Sequence, residues 1–230
     1  MIDSATKEFL SWARYLFWAE LMHRDWDRYM SEKGSDDAVP EWLAVTCYWG
    51  ASLYVVVEGW ELLKLTDPII EALLNRQTSK DMLRRLRNGT FHYQSSLTSP
   101  KMTDFLGSDP NATLWLVTLH DEFCRFFRQW VDRFQGTPAE LAEVRDYIVG
   151  IVGWIPPTPA EPEIKTLRQL QAQAEGILAR NDACRQTRNA LESAMKSGED
   201  AIKESRELAH RSRFERLWKL GVLAGPTDAQ

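Results

Sequence analysis

From the start of the chain, apolar residues recur at steps of three and four. Phe9, Trp12, Leu16, Ala19, Met22 or His23, Trp26 and Met30 fall on one stripe, which is the spacing of a helix with one buried side. Ser4 is a good N-cap, and Gly34-Ser35-Asp36-Asp37 breaks the pattern, so a first helix is expected over about 4–33. Pro40 is favoured in a first helical turn and opens a second helix running to about Leu65. Residues 42–57 of that helix carry no charge, and a helix apolar on most faces belongs at the centre of a fold. Thr66-Asp67-Pro68 stops it and caps a short helix from Ile69 to Asn75. Another helix is expected from Ser79, with Asp81 in its first turn, to at least Asn88.

Ser95 to Pro110 mixes turn and short-helix signals. From Pro110 to Gly136 a long helix is expected, with Leu114, Val117, Leu119, Phe123, Phe126, Phe127, Trp130 and Phe134 on its buried side. Thr137-Pro138 opens one more, to about Trp154. No pair of strands joined by a turn can be read in these residues, so the fold class is all-α, a helical bundle over 1–155. Pro156, Pro157, Pro159 and Pro162 then form a stiff spacer over 156–162 that cannot be helix. Beyond it the composition turns poor in aromatics and rich in Gln, Ala, Arg and Glu. Residues 163–220 read as an amphipathic helical arm or a hairpin hinged at Ser197-Gly198, followed by a tail over 221–230. Leu167, Leu170, Ala174 and Ile177 give the arm a narrow apolar seam.

Charge divides at the same place. Residues 1–162 hold 16 Lys/Arg against 23 Asp/Glu, and residues 163–220 hold 12 against 9. The net charge of the whole chain is -5, so no overall field draws in a polyanion, and any such site must be local. Ten Trp is a high number; their rings should line helix seams with each indole N–H near an acceptor. Cys47, Cys124 and Cys184 are odd in number and far apart, with no CxxC pair. That pattern fits small core residues in a reducing compartment rather than a disulfide framework or a thiolate metal site. Met1 to Lys7 lacks the charged-then-apolar pattern of a signal peptide, and no apolar run reaches the roughly 20 residues of a membrane span. A cytoplasmic location is therefore expected.

The stretch with chemistry is Arg84-Arg85-Leu86-Arg87-Asn88-Gly89-Thr90-Phe91-His92-Tyr93. Arginine stays charged and grips phosphate with a planar fork. Histidine exchanges a proton near neutral pH. Together they are a minimal set for cleaving a phosphodiester without metal, the cation stabilising the developing charge while the imidazole moves protons. If the helix continues through Gly89, Asn88 and His92 share a face. If Gly89 ends it, Arg87 lies at the helix C-terminus and His92 in the next segment.

Arg87-Asn88-x-x-x-His92 resembles the RNxxxH signature of the HEPN superfamily, an all-α group of nucleotide-binding proteins. The apolar helix ending at Glu58-Gly59-Trp60, and Phe91 ahead of the histidine, are similar to the layout of such domains. The resemblance implies a metal-independent endoribonuclease of toxin–antitoxin or phage-defence biology, with no cofactor and no metal. It carries over Arg87, Asn88 and His92 as catalytic residues. It also implies a homodimer, because in the family the motif lies in a cleft between two protomers. RNA is then the substrate, with an antitoxin or defence-system protein as a possible partner. Arg84 and Arg85 would add phosphate binding, and Glu58 and Tyr93 would support the site. Some toxin members carry a Tyr two residues after the His; that position here is Gln94, so modification at such a tyrosine is not implied.

Plainer readings accompany these. The arginines can pair with acids such as Asp81 on a wet surface. Glu58 can orient His92 or Arg87, or mark the point where the second helix meets water. His120-Asp121-Glu122 with Cys124 reads as a solvated face plus core, and His23 and His210 as lone histidines. The alternative function is a non-catalytic helical module that binds a nucleotide, RNA or a protein.

Overall fold

The computed structural model describes residues 1–33, 39–96, 99–107, 111–156 and 211–223. Every regular element among them is helical, as the apolar periodicity predicts. The order is α1 (Ser4–Lys33), α2 (Val39–Leu62), α3 (Pro68–Leu74), α4 (Gln77–Phe91), α5 (Pro100–Gly107), α6 (Ala112–Arg133) and α7 (Pro138–Tyr147). A π-helical turn, Ile148–Val152, continues α7 and ends at Gly153, whose φ of 80° favours glycine. No helix among the described residues is long and apolar enough to cross a membrane.

Local chemistry explains the boundaries. Asp67 accepts from the backbone N–H of Ile69 and Ile70, at 3.0 and 3.2 Å, and so caps α3. Thr137 and Glu140 form a reciprocal capping box at the start of α7, with Pro138 in the first turn. α2 ends at Leu62, a little before the expected Leu65, because Lys64 takes a left-handed backbone, φ 51°, and turns the chain.

The core confirms α1's stripe and shifts α6's. Phe9, Trp12, Leu16 and Ala19 are buried, and of the two candidates at the next turn it is His23 that is buried. On α6 the buried side is Ala112, Trp115, Leu116, Leu119, Phe123 and Phe127. The expected Leu114 and Val117 are only partly covered. Each lies about 100° around the cylinder from its buried neighbour, and the larger Trp115 takes the inward position. α1 packs along α2, α2 along α4 and α4 along α5. Indole N–H groups stitch these seams. Trp12 donates to the Val56 carbonyl at 3.0 Å and Trp115 to the Leu73 carbonyl at 3.0 Å.

The chain divides into two compact units, Met1–Pro156 and Pro157–Gln230, at the proline-rich spacer. Of the second unit, 211–219 is helical, with Arg211 and Glu215 paired at 3.2 Å one turn apart. The rest of the expected arm, its hinge at Ser197-Gly198 and its seam from Leu167 to Ile177 lie outside the described residues, as does most of the tail.

Candidate functional site

α4 carries the motif. Its inner face, Ser79, Met82, Leu83, Leu86 and Gly89, is buried, which turns Arg84, Arg85, Arg87 and Asn88 outward by helical periodicity. The helix is tightly backed. A Cβ at Gly50 of α2 would stand 2.7 Å from Leu86 Cδ2, and one at Gly89 would stand 3.0 Å from Lys101 Cβ of α5. Glycine at both positions lets the three helices meet.

The helix end takes one part of each sequence reading: the helix continues through Gly89, and His92 lies in the segment that follows. α4 runs through Gly89 to Phe91, and His92 is the residue after it, in extended conformation with φ −122° and ψ 135°. Asn88 and His92 therefore do not share a helical face; Arg87 and Phe91 do, four residues apart. Gly89 stays helical because it fills the contact with α5. Thr90 extends the last turn by donating to the Leu86 carbonyl at 2.8 Å. The exit is fixed by Gln94, whose amide donates to the His92 carbonyl at 2.6 Å while its oxygen accepts from Ser99 at 3.2 Å.

The side chains differ in how they are used. Arg84 pairs with Asp81 at 3.3 Å and Arg85 with Asp104 at 2.7 Å, as the plainer reading anticipates for Arg84. Arg87 lies 3.7 Å from Glu58, an ion pair longer than a hydrogen bond, and donates to Asn88 Oδ1 at 3.1 Å. Its Nε is buried and makes no hydrogen bond. Glu58 is nearly half exposed, so it both meets water and faces Arg87. His92 and Tyr93 are exposed, Tyr93 at 94%. The His92 ring makes no hydrogen bond or ion pair among the described residues. The structure thus brings Arg87, Asn88 and Glu58 together and leaves the His92 imidazole open to solvent.

A second cluster was missed in sequence. His120 is 1% exposed, so the solvated-face reading is corrected: α6 turns it inward on the same side as Leu116 and Phe123. Trp49 Nε1 donates to His120 Nδ1 at 3.1 Å, and His120 Nε2 meets Glu20 Oε2 at 2.9 Å. His23, read as a lone histidine, lies 3.8 Å from Glu20 and 3.7 Å from Asp27, with its ring 4.5 Å from that of Trp49. Arg24 completes the set with 2.8 Å to Glu20 Oε1.

The indole settles the tautomer of His120. Trp N–H only donates, so Nδ1 accepts and the ring proton sits on Nε2, directed at Glu20. Burial holds His120 below its ordinary value despite Glu20. Burial also opposes ionisation of Glu20, but hydrogen bonds from His120 and Arg24 and the nearby His23 ring outweigh it and hold the carboxyl well below the usual range. His23 is raised: burial is overcome by the Glu20 carboxylate beside it and the charges of Asp27 and Asp121. Glu20, His120 and Cys124 place their ligand atoms within 4.8 Å of one another. However, a metal-bound histidine ordinarily donates from its free ring nitrogen, and here that nitrogen accepts a hydrogen bond from Trp49. Burial raises the Cys124 thiol well above its usual value, which also disfavours the thiolate a metal needs. The group as placed is a proton-sharing core network.

A cleft of about 430 Å³, bordered by Asp67, Phe126, Trp130 and Arg133 among others, contains none of the motif residues. Comparison of the chain with protein-family models, with curated proteins and with solved structures finds no match.

Proposed function

We propose that the chain is a metal-independent endoribonuclease of the HEPN type. The observation that carries this reading is the state of the motif at the end of α4. Among the described residues Arg87 keeps donors unused, with Nε unbonded and Glu58 at 3.7 Å, a few residues from an exposed imidazole that has no partner among them. The terminal nitrogen that faces Glu58 at 3.7 Å, on a side chain 32% exposed, is left short of a hydrogen bond, and a phosphate oxygen is the natural acceptor for a guanidinium.

In the proposed reaction His92 takes the proton of the ribose 2′-hydroxyl as it attacks the adjacent phosphorus. Arg87 binds the scissile phosphate and stabilises its added charge. Asn88 acts on Arg87, whose guanidinium it already holds at 3.1 Å. The phosphorus–5′-oxygen bond breaks as the leaving 5′-oxygen takes a proton from water, giving a 2′,3′-cyclic phosphate and a 5′-hydroxyl, and His92 returns its proton to solvent. The protein works as a homodimer with two such segments facing one cleft, in a toxin–antitoxin or defence setting in the cytoplasm. An antitoxin or defence-system protein is the proposed partner.

The purified protein should cut RNA in EDTA. His92→Ala and Arg87→Ala should each lower the rate by roughly 10²–10⁴-fold and leave the helical circular dichroism unchanged. Loss of cleavage on adding EDTA, or cleavage surviving both substitutions, refutes the mechanism; a monomer by light scattering at micromolar concentration refutes the shared cleft. The competing reading, a module that only holds an anion, draws on the salt bridges of Arg84 and Arg85 and on the absence of any bond between His92 and Arg87. It expects binding without cleavage.

A further inference from the structure

Arg87 and Phe91 stand one helical turn apart on the same face of α4, with Arg84 a further turn back. The stripe therefore runs guanidinium, guanidinium, aromatic ring toward the segment that carries His92. Phe91 is 52% exposed, and Tyr48 of α2, 49% exposed, lies beside it with ring centroids 6.2 Å apart and planes tilted by 60°. They put two large half-exposed rings side by side next to the motif.

The pair sits on a rigid base. Thr90, next to Phe91, donates to the Leu86 carbonyl and reaches the Cys47 carbonyl, next to Tyr48, at 3.5 Å. Beneath it, Gly50 admits Leu86 into the α2–α4 seam. The rings are thus held in place without being covered. A fixed aromatic face next to a cation is the combination that binds unpaired nucleotides: the base stacks on the ring and the neighbouring phosphate lies on the guanidinium.

We infer that Phe91, flanked by Tyr48, is a stacking platform for one unpaired base of single-stranded RNA, with the adjoining phosphate on Arg87. The inference rests on the ribonuclease reading and deepens it by naming the substrate as single-stranded. A base inside a duplex has no free face to offer, so paired RNA is excluded from the platform.

The test uses the full chain carrying His92→Ala, so that RNA is bound and not cut. Fluorescence anisotropy is measured with a labelled 12-nucleotide uridine oligomer, the same length of RNA duplex, and the oligomer with abasic residues. The single strand should bind tightest. Adding Phe91→Ala should weaken it about tenfold, Phe91→Trp should restore it, and the abasic oligomer should not respond to either change. Equal affinity for duplex, no effect of Phe91→Ala, or no RNA binding at all overturns the platform. So does a Phe91→Ala variant that loses dimerisation but keeps its RNA affinity, since the rings then serve a second copy of the chain. Cleavage by the otherwise wild-type chain is read separately. Cutting with no dependence on Phe91 sinks the platform alone, while Phe91-dependent binding without cutting sinks the catalysis alone.

Discussion

Two parts of the same bundle use the same residue types to opposite ends. In the core, His120 has both ring nitrogens engaged, Glu20 has His120, His23 and Arg24 around it, and the rings of Trp49 and Trp26 pack against His23. At the end of α4, His92 has no ring partner among the described residues and Arg87 retains an Nε without one. A fully satisfied histidine in low dielectric has no capacity left for a ligand, because any new bond breaks an old one. An exposed histidine beside an incompletely bonded arginine can accept a substrate at little expense. The number of bonds already made, rather than the presence of His, Glu or Arg, separates a structural cluster from a candidate site.

Exchanging the two histidines should break this comparison most sharply. His120→Ala leaves the Trp49 N–H and the Glu20 carboxylate without their main partner. We expect it to lower stability by about 3–5 kcal/mol and Tm by roughly 10 °C. The same change at His92 should leave Tm within about 1 °C. Calorimetry on both variants reads this directly, and a His92 variant that melts as early as the His120 variant would place His92 in the core's support.

The pH dependence should also belong to the core set. The folded form resists protonation of His120, so stability is lost as pH drops below the unfolded value of about 6.5. His23 has the opposite sign. Its contribution is complete below about pH 6.5 and is lost as pH rises through its raised folded value. Glu20, held low, adds a further loss as pH falls below its unfolded value of about 4.3. Urea unfolding should therefore be most resistant near pH 6.5 and weaken on both sides. Glu20→Gln should flatten the alkaline flank, by removing a partner that raises His23, and abolish the loss below about pH 4.3, while the loss caused by burial of His120 remains; an unchanged curve would remove these groups from the account.

The smallest effect is expected at Glu58. Its pair with Arg87 is half-exposed and long, so Glu58→Gln should change stability by less than about 1 kcal/mol. It should, however, tighten RNA binding by releasing the guanidinium. Weaker binding in that variant would make Glu58 a positioning residue for Arg87 rather than a competitor of phosphate.

Much of this was legible in one dimension. The periodicity of α1, the charge-free run of α2, and the caps at Asp67 and Thr137 depend on neighbours within a few residues, and the structure reproduces them. The motif was legible as composition, but its geometry was not. Where α4 ends depends on Lys101 and Met102 of α5 and on the Gln94–Ser99 staple, which local signals do not reveal. The core network was invisible for a similar reason, since Glu20 and His120 lie 100 residues apart. A faint sign was present: Glu20 stands directly after Ala19 and three residues before His23, both on the buried stripe of α1. A carboxylate at that position needs an interior partner.

Gly89 places a constraint on how this protein can drift. A side chain there would meet Met102 Cγ at 2.9 Å, Lys101 Cβ at 3.0 Å and the Lys101 carbonyl carbon at 3.3 Å. Trimming Met102 relieves only the first of these. The other two atoms belong to parts that nearly every residue at 101 would have. No single compensating exchange on α5 can therefore rescue a larger residue at 89. The middle of the Arg87–His92 segment and the placement of α5 must be inherited as one block, and homologues with another residue at 89 should also differ in the length or path of the 92–99 connection.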